Sequence, residues 1–258
     1  MAKFSNPPGF EHSRAVLPNG MAVCCGFLPG LETASVQLWV RAGSASEGPL
    51  SGCGVSHFAE HMLFKGAAGL SASEMSMRAL RAGAEMNAYT WYDRTVFYAD
   101  LPLGGVAEGL SILSDMAFRA NLDEGDFESE RSVILREIDM CADDPSDVLF
   151  DAFASRAFLA DGCRHPVIGR ADLLRSLSCG ELRGYVRGRY RPQNMFLSVV
   201  SGLPADVVLG MASDRFASEP ARREIREGCA CDPPQTGPRR ISLEGGRGLA
   251  LSLIHISE

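Results

Sequence analysis

The sequence predicts an α+β fold, with helices packed on one face of a mostly antiparallel sheet. Three observations carry that expectation. Strand-like runs come in pairs separated by short turns, as hairpins do. Longer segments repeat their apolar residues at helical spacing. Strands and helices also alternate irregularly, without the strand–helix–strand rhythm of a parallel sheet.

In chain order, residues 17–20 (Leu-Pro-Asn-Gly) read as a turn, and 21–25 and 34–40 as strands rich in apolar or β-forming residues. Residues 43–54 form a Gly- and Ser-rich loop. Helical spacing begins at residue 56 and runs to 64, with Phe58, Met62 and Val55 on an apolar side. Ser71, followed three residues later by Glu74, is a capping-box pattern that opens a helix through Leu80, and Gly83 ends it. Met75 and Met77 share that helix and are expected to pack. Residues 85–91 and 95–100 alternate like two strands joined by a turn at 92–94. Amphipathic helices are expected over 107–119, 127–141 and 145–159. Ser178 and Glu181 cap a further helix to about Tyr190, Pro192 breaks it, a buried strand follows at 195–200, and helix returns at 206–216. From 219 to 240 the chain turns Pro-, Arg- and Gly-rich like a linker, and 240–244 look like the opening strand of a further unit.

The composition sets limits on function. Hydrophobic residues make up 46% and charged residues 22%, ordinary values for a packed soluble protein. A formal charge of −7 speaks against a nucleic-acid partner, which needs a basic face. No apolar run reaches a membrane span, and the first residues lack a secretory signal, so no membrane partner and a cytoplasmic location are expected. None of the eight cysteines form a C-x-x-C pair, and reduced thiols are the expectation. Cys229 and Cys231 lack the further ligands of a structural metal site.

The chemistry lies in His57-Phe-Ala-Glu-His61. On a helix, positions four apart face the same way, so both imidazoles can reach one ion. Glu60 lies on the same side, where a carboxylate beside a metal-bound water can accept its proton and pass it to a leaving amine. The pattern inverts the H-E-x-x-H arrangement known from zinc peptidases and still requires a third ligand.

The run from His57 to Gly66, H-F-A-E-H-M-L-F-K-G, resembles the insulinase/pitrilysin superfamily, especially its bacterial processing-peptidase-like members. The resemblance implies a third ligand about 75 residues downstream on an E-x-x-x-x-x-x-E helix, here Glu137, with Glu130 as a carboxylate that orients a ligand or assists proton movement. Those two lie two helical turns apart and share a face. Glu128 and Asp139, on the same segment, read as solvated surface. The stretches 83–90 and 93–98 are similar to the hairpin that follows the family's metal helix. There Asn87 and Ala88 are expected on an edge strand that pairs with an extended peptide. Cys53 reads as a small buried residue, and His12 and His165 as surface histidines.

The resemblance extends over about residues 14–245. It implies a zinc-dependent endopeptidase binding one Zn2+ per chain, with peptide substrate and with a second homologous domain or a partner subunit completing the site. The expected layout is a metallopeptidase domain over 1–218, a linker over 219–239 and the start of a second domain over 240–250. Residues 251–258 resemble the translation of a transposase adapter used in sequencing libraries, so the natural chain is expected to continue differently there. The alternative is a non-catalytic or partner-requiring subunit of a two-chain peptidase.

Overall fold

The computed structural model describes residues 7–221, 232–237, 239 and 241. Apart from Ile241, the expected strand at 240–244 lies outside the described residues, as do the adapter-like 251–258, Cys229 and Cys231. The six cysteines among the described residues are free thiols.

The chain opens with β1 (Glu11–Val16), β2 (Ala22–Phe27) and β3 (Thr33–Val40), then helix α1 (Val55–Leu63) and the two-residue strands β4 (Gly66–Ala67) and β5 (Leu70–Ser71). Next come α2 (Ala72–Arg81), β6 (Glu85–Thr90), β7 (Thr95–Pro102), α3 (Val106–Arg119), α4 (Glu124–Asp143) and α5 (Pro145–Ala157). Helices α6 (Ala171–Ser176) and α7 (Cys179–Arg189), strand β8 (Met195–Ser201) and helix α8 (Ala205–Phe216) follow.

The main sheet has the order β1-β2-β8-β3-β7-β6. Only β2 and β8 run parallel, from Ala22 opposite Phe196 to Phe27 opposite Ser201, and every other neighbouring pair is antiparallel. The expected α+β class is therefore the observed one. On β3 the residues Ala34, Val36, Leu38 and Val40 are buried while Ser35, Gln37 and Trp39 are half-buried, the period of two that marks a sheet covered on one face. Against the covered face lie Val55, Phe58 and Met62 of α1 and Leu110 and Leu113 of α3, all fully buried.

Four elements went unpredicted, of which β4 and β5 are two-residue strands too short to show any alternation. β1 reads Glu-His-Ser-Arg-Ala-Val, and its exposed edge position removes the apolar alternation by which strands are recognised. α6 spans six residues, too few for a helical period to show. One packing expectation also fails: Met75 is buried, but Met77 is 46% exposed, because two residues are about 200° of helical rotation and place it on the opposite face of α2.

The capping box at α2 forms as expected. Ser71 N–H donates to Glu74 Oε2 at 2.8 Å, and Glu74 N–H donates back to Ser71 Oγ at 3.4 Å. Ser71→Ala is expected to lower stability by ~1 kcal/mol, read as a shift in the urea midpoint with an unchanged slope.

Candidate metal centre

Helix α1 turns Val55, Phe58, Ala59 and Met62 into the core, which leaves His57, Glu60 and His61 on its half-exposed side. Helix α4 buries Phe127, Glu130 and Ile134, and Glu137 comes one turn later. The rings of Phe58 and Phe127 stack with centroids 4.6 Å apart and planes 5° from parallel, fixing α1 against α4. That contact brings together residues far apart in sequence.

Ligand atoms of His57, His61 and Glu137 lie within 4.8 Å of one another, the one such group of three among the described residues. His61 Nε2 stands 3.7 Å from Glu137 Oε2, too far for a good hydrogen bond. Two ligands of one tetrahedral ion, each bound at ~2 Å, are themselves separated by roughly 3.3 Å. The opposite ring nitrogen, His61 Nδ1, lies 2.9 Å from Glu130 Oε1. Glu130 is thus a buried partner of a site histidine, whereas Glu128 and Asp139 are exposed as expected.

Electrostatics matches that geometry. Burial, and then the neighbouring His61, pushes the His57 imidazole down to about 3, so the ring is neutral at physiological pH and its lone pair is available. His57 Nδ1 is buried without a hydrogen-bond partner. Burial raises the Glu60 carboxyl above its ordinary range, against the pull of Thr90 and His61 and with a further push from Glu137. For Glu130 burial also acts upward, but the hydrogen bonds and charges of Lys65 and His61 outweigh it and hold the carboxyl below its usual value.

Sequence reasoning missed two participants. Lys65 Nζ makes an ion pair with Glu130 Oε2 at 2.5 Å. Its signal was available, since it follows His61 by four residues. Thr90 Oγ1 donates to Glu60 Oε2 at 2.6 Å and meets Thr95 Oγ1 at 3.3 Å. No local pattern marks Thr90, which reaches Glu60 only because β6 lies beside α1.

Asn87 and Ala88 lie on β6, the terminal strand of the sheet. Trp91 N–H donates to Arg94 C=O at 2.7 Å and closes the hairpin, so ladder alternation places Asn87 opposite Tyr98 in a bonded pair. Ala88 then directs its main-chain N–H and C=O out of the sheet edge. Asn87 Oδ1 accepts that N–H at 2.8 Å. His12 is exposed, His165 half-buried and Cys53 buried, and none joins the cluster.

The family model for insulinase (peptidase family M16) matches residues 28–170, a stretch that contains α1, β6 and Glu137. The chain belongs to the insulinase family. Among similar insulinase-family proteins, one from Mycobacterium leprae, named as an uncharacterised zinc protease, is 32% identical over 238 residues, covering 92% of this chain and 52% of its own length. The β subunit of mitochondrial-processing peptidase from Blastocladiella emersonii is 32% identical over 204 residues, covering 79% of this chain and 44% of the subunit. A protease structure from Helicobacter pylori superposes with a TM-score of 0.85 at 24% identity, over 89% of this chain and 56% of that one, which supports the fold. The chain spans about half the length of these relatives.

Proposed function

We propose that this chain is the metal-binding half of a zinc-dependent endopeptidase acting on peptides or unfolded polypeptides. The observation that carries the reading is the convergence of His57, His61 and Glu137 from two helices, with Glu60 on the same face of α1. The donor set fits Zn2+: two imidazoles, one of them held neutral by burial, and one carboxylate. Relatives named as zinc proteases support the same reading.

Bound by these three side chains, zinc would supply Lewis acidity toward a scissile carbonyl and lower the pKa of a water. The protein's own work is proton movement and positioning. Glu60 takes the proton from the attacking water and returns it to the leaving amine nitrogen, a role that its raised pKa suits. Thr90 holds Glu60 Oε2 and so fixes the orientation of the carboxylate. Glu130 orients the His61 ring through Nδ1, which leaves Nε2 directed at Glu137, and Lys65 keeps Glu130 ionised. The outward Ala88 N–H and C=O, with Asn87 beside them, offer an extended peptide a strand to pair with.

A second homologous half, in the same polypeptide or in a partner subunit, completes the site in this reading. The relatives are about twice as long, and the Glu137 side chain is 43% exposed, an open position for a group that must act away from bulk water. The 258-residue chain alone is therefore expected to bind zinc yet hydrolyse peptides poorly.

Metal content tests the proposal. The purified chain is expected to hold one zinc, and Glu137→Gln and His57→Ala are each expected to lose it under the same dialysis, while keeping the parental circular-dichroism spectrum. A parent chain without zinc, or variants that retain it fully, would sink the assignment.

A further inference from the structure

Helix α1 gets no side-chain cap from its own N-cap residue. That residue is Gly54, with φ at +68°. A larger residue is excluded, because a Cβ at Gly54 would lie 2.2 Å from the Ile168 carbonyl oxygen and 2.9 Å from Gly169 Cα. The opening N–H groups of a helix still need acceptors, and a buried helix end without them is costly. One acceptor arrives from elsewhere in the chain. Glu47, seven residues before Gly54 and only 2% exposed, accepts the Ser56 N–H through Oε1 at 2.9 Å. Ser56 Oγ in turn meets the buried Tyr185 hydroxyl of α7 at 2.7 Å. Glu47 Oε2 is buried without a hydrogen-bond partner, so this carboxyl accepts a large desolvation cost to stay in place.

We propose that Glu47 is a positioning residue for the metal centre, a cap supplied from outside the helix that fixes the first turn of α1 and thereby the direction of His57, Glu60 and His61. The inference rests on the zinc reading of those side chains. His57 immediately follows the residue whose N–H Glu47 holds, and the remaining site residues of α1 come within five positions of it. A carboxyl oxygen accepts that N–H in either protonation state, so what matters is an acceptor at that point.

The test compares three changes in the 258-residue chain. Zinc affinity is read by competition with a chromogenic chelator, and site geometry by the visible spectrum of the Co2+-loaded chain. Glu47→Ala is expected to weaken zinc binding ~10-fold or more and to shift the Co2+ bands, as loss of a group that orients ligands does. Glu47→Gln retains an acceptor oxygen of the same reach and is expected to keep the parental affinity and spectrum. Val208→Ala, at a buried position of α8, lowers stability without touching α1 and is expected to leave both readouts unchanged. Should Glu47→Ala not fold, Glu47→Asp takes its place, since it withdraws the acceptor by one methylene and is expected to weaken binding as well. Parental affinity in Glu47→Ala or Glu47→Asp, or a loss no larger than that of Val208→Ala, overturns this inference alone. A parent chain that binds no zinc overturns the metal reading and this inference with it.

Discussion

Replacing Glu60 by glutamine, assayed with the second half that the proposed function requires, is expected to lower kcat by ~10³-fold, within the 10²–10⁴ range of a lost general acid–base. That corresponds to ~4 kcal/mol of transition-state stabilisation. Glutamine has nearly the same volume, and its amide oxygen still accepts the Thr90 hydroxyl that holds Glu60 Oε2 at 2.6 Å. What it lacks is the ability to take a proton from water and deliver it to the leaving nitrogen. Because His57, His61 and Glu137 are untouched, zinc content should remain parental, and KM should change little if substrate is held by the β6 edge rather than by Glu60. Lost turnover with retained metal is the signature that separates a peptidase from a metal-binding scaffold, whose function would survive the change. A variant that keeps even a tenth of the parental kcat would remove Glu60 from the proton-transfer role.

Much of this site can be read in the sequence because the helical period does local geometry reliably. His57, Glu60 and His61 fall on one side of α1 by spacing alone, and the structure has them there. The third member is a different matter. Glu137 lies 76 positions beyond His61, and no periodicity links two helices; the stack of Phe58 on Phe127 that joins them is a tertiary contact. Family resemblance, rather than spacing, pointed to Glu137. Thr90 shows the limit most clearly, since its bond to Glu60 depends on where an edge strand comes to rest against a helix. Glu47 was likewise invisible: a lone Glu in a Gly- and Ser-rich loop reads as solvated surface, yet it is almost fully buried. For the fold, hairpin-linked strands and capped helices were legible, whereas β1 and α6 were not. The first is an exposed edge whose polar residues hide the alternation, and the second is too short to repeat.

The burial of Glu47 has a consequence for stability that can be measured without metal. Burial pushes its carboxyl up to about 7, against the opposing pull of hydrogen bonds from Ser56 and from the main chain at Gly54 and Gly52. In the unfolded chain the group titrates at its ordinary value, near 4.3. A folded pKa above the unfolded one means that the native state holds the proton more tightly. The associated stabilisation is therefore complete below the unfolded value, declines as pH rises, and is lost once pH has passed about 7. At ~1.4 kcal/mol per pKa unit the difference is on the order of 3 kcal/mol. Glu47→Gln has no proton to lose there, and the other carboxylates contribute alike to both chains. Urea unfolding of the metal-free proteins at pH 4.5 and pH 8 is thus expected to show the parent losing about 3 kcal/mol relative to Glu47→Gln over that interval. A difference between the two chains that stays constant with pH would mean that the helix N–H groups compensate the buried charge fully. In that case the carboxylate would stabilise the first turn of α1 as an ion, and its pKa would lie near the unfolded value.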